Sequence, residues 1–135
     1  MIAAPIVVFD SPRVETSDVV RFSAADLSEA QHRYTGLKAD HPDLPVLVDL
    51  DVHLAVDART ARREVLASIT KPRAGTLQYV GTASGLAGLI ADIVAVNVAD
   101  GVTLRPVMED SRDAVVRAVI DEVIPALAPR RVRAS

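Results

Sequence analysis

The first readable stretch, Pro5-Ile6-Val7-Val8-Phe9-Asp10, is an apolar run without polar alternation, closed by Ser11-Pro12. That pattern predicts a strand covered on both faces and a turn after it. Asp18 to Ser23 (Asp-Val-Val-Arg-Phe-Ser) predicts a second strand, and Ser23 followed three residues later by Asp26 reads as a capping box. The helix it opens carries Leu27, Ala30, Tyr34 and Leu37 on one stripe and ends before His41-Pro42. The clearest strand is Val46 to Ala55, with Val46, Val48, Leu50, Val52 and Leu54 on one face and Asp49, Asp51 and His53 on the other.

Asp57 is placed to cap a helix with Ala58, Ala61, Val65 and Ile69 as its stripe, and Lys71-Pro72-Arg73-Ala74-Gly75 breaks it. A connector leads to Tyr79-Val80-Gly81-Thr82. Thr82 caps a helix that buries Leu86, Leu89, Ile90, Ile93, Val94 and Asn97, with Gly85 and Gly88 indicating close packing. Asp100-Gly101 ends it and starts the strand Val102 to Arg105. A last helix begins near Asp110-Ser111, buries Val115, Ala118, Val119 and Val123, and stops around Pro125. Strands alternating with helices predict a parallel sheet with right-handed crossovers, an α/β fold.

Length and composition narrow the classes. The chain has 135 residues, half of them apolar and 24% charged, which predicts a single domain over 1–135. Aromatic residues are 3% and the net charge is -3, so base-stacking platforms and a basic face are both lacking, and nucleic acid is not an expected partner. Cysteine is absent, which excludes disulfides and thiolate chemistry. The longest mainly apolar stretch, Leu86 to Ala99, is 14 residues interrupted by Asp92 and Asn97, short of the roughly 20 that span a bilayer. With no basic leader at the N-terminus, a cytoplasmic protein without membrane association is the expectation.

The order of motifs resembles the C-terminal half of the luciferase-like flavin-dependent monooxygenases, in the branch of the nitrilotriacetate and sulfur-compound monooxygenases. The resemblance covers most of the chain. It rests on Asp18-Val19-Val20-Arg21-Phe22, on Glu29-Ala30-Gln31 with Tyr34 and Lys38-Ala39, and on His41-Pro42-Asp43-Leu44-Pro45 ahead of a hydrophobic strand. It continues through Ala58 with Ala61-Arg62, Tyr79-Val80-Gly81-Thr82, Asp100-Gly101 with Leu104-Arg105-Pro106, and Val123-Ile124-Pro125-Ala126-Leu127. The resemblance implies a partial (half) TIM-type barrel of about four parallel strands with covering helices, since a complete barrel takes about 200 residues at least. It also implies FMN, or a deazaflavin as in parts of the superfamily, with a small organic substrate. Where the family has a Gly-Ser-Ser-type phosphate turn, this chain has Asp10-Ser11-Pro12-Arg13, in which Ser11 and Arg13 offer donors.

The polar residues opposite the apolar rows carry whatever chemistry there is: Arg21 and Ser23, Asp49, Asp51 and His53, Thr103 and Arg105. In a barrel these positions face the lumen. His53, Asp49 and Asp51 are then the catalytic candidates, and Arg21 and Arg105, with Ser11 and Arg13, the cofactor-binding ones. Asp49, Asp51 and His53 stand roughly 7 Å apart along a strand, too far to share one metal ion unaided. Two other readings stay open: a solvated face of charge pairs, and an intersubunit interface. A half-barrel would leave its inner face uncovered, so a homodimer or a second chain supplying the other barrel half is expected. The alternative to a flavin oxidoreductase module is a non-catalytic binding or partner subunit of the same descent.

Overall fold

The computed structural model describes residues 5–10 and 18–127. Five strands form one all-parallel sheet: β1 (Ile6–Phe9), β2 (Val20–Phe22), β3 (Val46–Leu54), β4 (Leu77–Gly81) and β5 (Gly101–Pro106). The helices are α1 (Leu27–Asp40), α2 (Ala58–Ala67) and α3 (Ala83–Ala95), then a 3-10 turn at Glu109–Ser111 and a C-terminal helix. That last helix has three parts, α4 (Arg112–Ala118), a π-helical turn (Val119–Val123) and α5 (Ile124–Leu127). The α/β class and the parallel sheet expected from the alternating pattern are present.

β3 is the hub. β5 runs along Leu47–Val52 on one edge, and the other edge is shared end to end by β2 beside Val46–Val48 and β4 beside Leu50–Leu54. β1 pairs with the far edge of β5, giving the order β1-β5-β3-β2. Consecutive strands of a barrel would place β1 beside β2. The strand found here at Leu77–Gly81 is the segment read from sequence as a connector; three of its residues are half-exposed or exposed, which weakens the alternation signal.

The apolar rows of β3 and β5 (Val46, Val48, Leu50, Val52, Val102, Leu104) pack against Ala30 of α1, Leu86, Ile90 and Ile93 of α3, and Val115, Val119 and Val123 of the last helix. On the opposite face lies α2, whose Ala61 and Val65 are buried and whose Glu64 reaches His53. Both faces of β3 are therefore covered inside one chain, as a parallel sheet requires. Within the single chain Asp51 is 0% and His53 2% exposed.

Several local readings are corrected. Asp26, not Ser23, caps α1, accepting from the Glu29 N–H, while Ser23 turns to Asp49. Leu27 is exposed, and Ile69 lies beyond the end of α2 and is fully exposed. Asn97 is also exposed; it stands after α3 with φ 60°, the left-handed position that closes a helix and that asparagine tolerates. Gly85 does lie under Tyr79, but Gly88 faces open space. The last helix runs through Pro125 to Leu127, because a widened π turn precedes the proline and relieves its clash with the preceding carbonyl.

Asp100 fastens the start of the sheet to α1. Its carboxylate accepts from Tyr34 Oη at 2.8 Å, Lys38 Nζ at 3.0 Å and the Val46 N–H at 2.9 Å. Burial alone would raise its pKa, but these donors hold the carboxyl below the ordinary carboxylate value. Tyr34 is pushed up to about 12 by burial and by its bond to Asp100. Next to it, Gly101 lets β1 approach: a Cβ there would collide with the main chain of Ile6. Gly101→Ala should therefore detach β1, costing about 1–3 kcal/mol. Amide exchange across Ile6–Phe9 should rise to the rate of unprotected amides while α3 stays protected, and unchanged protection in β1 would contradict the account.

Candidate functional site

The polar side of the sheet is built by register. The pairs Asp49↔Thr103 and Asp51↔Arg105 bring β3 and β5 side chains into transverse rows, and Arg21 of β2 stands beside Leu47. Two ion clusters result. In the first, Arg21 lies between two carboxylates, donating from Nη1 to Asp10 Oδ1 at 3.1 Å and from Nε to Asp49 Oδ1 at 3.1 Å. Ser23 Oγ donates to the other Asp49 oxygen at 3.0 Å.

The second cluster is the inverse, one carboxylate between two guanidiniums. Arg105 donates from Nε and Nη2 to the two oxygens of Asp51 at 3.0 and 2.8 Å. Arg73 donates from Nη2 at 2.8 Å, from Nε at 3.2 Å, and from its main-chain N–H at 2.7 Å. Burial would raise the Asp51 pKa; the hydrogen bonds from Arg105 and Arg73 outweigh it and hold the carboxyl below its ordinary 3.8. Asp51 thus serves as a brace, its carboxylate committed to Arg105 and Arg73.

His53, at the carboxyl end of β3, has Nε2 3.0 Å from Glu64 Oε1, and its buried Nδ1 has no partner among the described residues. The Thr103 hydroxyl is buried and unpartnered in the same sense. Of the predicted catalytic residues, Asp49 and Asp51 are occupied by arginines, and only His53 keeps a polar atom uncommitted. Arg21 and Arg105 do lie on the same face as these residues, but in clusters of opposite net charge. Ser11 and Arg13 lie outside the described residues. Among the described residues no group of three or more His, Asp or Glu side chains is placed to hold a metal ion. Nor is any described helix long and apolar enough to cross a membrane.

Two participants went unseen in the sequence. Glu64 sits three residues after Ala61 and one before Val65, on the stripe that faces the sheet, and that spacing was a usable signal. Arg73 had none: it follows the helix break and reaches Asp51 from 22 residues away.

On the apolar side of the sheet, an open cleft of about 530 Å³ lies at the carboxyl ends of β3 and β4, between Leu54, Val56, Thr82, Ser84 and, from the π turn, Glu122. None of the predicted site residues among the described residues lines it. Carboxyl ends of parallel strands are where ligands of α/β proteins sit.

No family model matches the chain, and no curated protein matches it.

Because Asp51 is fully buried and doubly paired, Asp51→Asn should cost about 1.5–3 kcal/mol through weakened charge-assisted hydrogen bonds to two partly exposed guanidiniums. The sign with pH follows from the lowered carboxyl pKa of Asp51 and Asp100. Their contribution is complete above the ordinary 3.8 and is lost as pH falls through their lower folded values. Urea titrations from pH 6 downward should show falling stability in the wild type and a shallower fall in Asp51→Asn; equal slopes would contradict the assignment.

Proposed function

We propose that the chain is a module of a luciferase-like, flavin-associated oxidoreductase that acts on a small organic substrate. The observation that supports this reading is where the resembling segments fall. Asp18–Phe22, Tyr79–Thr82 and Leu104–Pro106 overlap β2, β4 and β5, and all three strands pair directly and in parallel with β3. In the finer reading, β2, β3 and β5 are neighbours within a partial barrel, and β1 takes the edge of β5 that the missing half would otherwise occupy.

FMN, when bound, supplies the redox chemistry; the chain supplies position and proton handling. Ser11 and Arg13 are the donors assigned to its phosphate, with Arg105 on the same face as His53. Arg21 is withdrawn from that role, since Asp10 and Asp49 already neutralise it. His53 is the group left to hold or move a proton, at Nδ1, with Glu64 fixing its other nitrogen and reaching solvent. Asp51 positions Arg105.

The second reading, a non-catalytic partner subunit of the same descent, is favoured by one observation. The carboxylates and guanidiniums of the polar face are committed mainly to one another. Calorimetric titration with oxidised and reduced FMN separates the two. Saturable binding that weakens at least tenfold in Arg13→Ala is expected for the oxidoreductase module. No heat with either redox form would leave the partner subunit.

A further inference from the structure

We propose that Arg73 and Arg105, braced together on Asp51, form a binding site for a small anion bearing a phosphate or carboxylate group. The site does not depend on a flavin. Each guanidinium has five donors in a planar fork, and both use the Nε and Nη2 edge on Asp51. The Nη1 group of each makes no hydrogen bond among the described residues. Two positive charges on one carboxylate leave a local surplus of one, and the heads reach water, with side-chain exposures of 40% for Arg73 and 23% for Arg105.

The pair is also pre-organised. Arg73 is held at its main chain as well as its side chain, since its N–H donates to Asp51, and Pro72 stiffens the approach. Ordering two long side chains is a main cost of binding an anion with arginines, and here the fold has already met it. Only the carboxylate at the centre of the cluster is buried; both arginine side chains are partly exposed, which leaves them accessible to a ligand.

Arg21 supplies the contrast. It shares its face with the pair but lies between Asp10 and Asp49, so its cluster has a surplus of negative charge and no anion should bind there. Those carboxylates also reach Arg73 electrostatically, which keeps the affinity of the site modest.

The test is a titration of the full chain with inorganic phosphate, and separately with succinate, following the arginine Nε–H resonances by NMR. Saturable movement of the Arg73 and Arg105 signals is expected, with affinity at least tenfold weaker in Arg73→Gln and unchanged in Arg117→Gln. Arg73 is the better exposed of the pair, and Arg73→Gln is expected to keep a cooperative thermal melt. Arg73→Lys, which keeps the charge without the fork, should fall between. Response to phosphate alone or to succinate alone identifies the anion class. Signals that move with neither, or equal affinity in Arg73→Gln, would overturn the site, whatever the outcome with FMN.

Discussion

A carboxylate with no exposed surface, held by two guanidiniums, is the point where three parts of this molecule meet. β3 brings Asp51, β5 brings Arg105, and the segment after α2 brings Arg73. An ionised carboxylate left unpaired at that depth would cost several kcal/mol, comparable to the whole stability of a small domain. The pairing therefore sets register as well as charge. A slip of β3 by one residue would turn Asp51 into the apolar core and Val52 toward the arginines.

The layering follows from the same row. Val46, Val48, Leu50 and Val52 need an apolar cover, which α1, α3 and the C-terminal helix provide. The opposite side carries Asp49, Asp51 and His53, and its cover is of another kind. Α2 contributes Ala61, Val65 and Glu64, and the stems of Arg21, Arg73 and Arg105 lie over the rest while their heads reach water. A polar face can thus be dry at its base and wet at its rim within a single chain.

Much of this was legible in the sequence, and the reasons for the remainder are physical. The two-residue alternation of β3 is long enough to fix both faces, and the Asp57 and Thr82 caps are local chemistry that the structure repeats. The place of β1 beside β5 depends on Gly101 admitting the Ile6 main chain, a contact between residues far apart in sequence. The π turn ahead of Pro125 lets the helix continue where a proline ordinarily marks its end. In the candidate site, His53, Asp49, Asp51, Arg21 and Arg105 were readable as one face, but not the sorting of their charges. Arg73, invisible to periodicity, converts Asp51 from a catalytic candidate into a brace.

The most direct measurement is the titration of the Asp51 side-chain carboxyl carbon by NMR in the intact chain. A midpoint below the ordinary 3.8 is predicted, because the arginine donors outweigh burial. A midpoint at or above that value would mean that burial prevails, that the guanidiniums are not engaged, and that the polar face is not held as described.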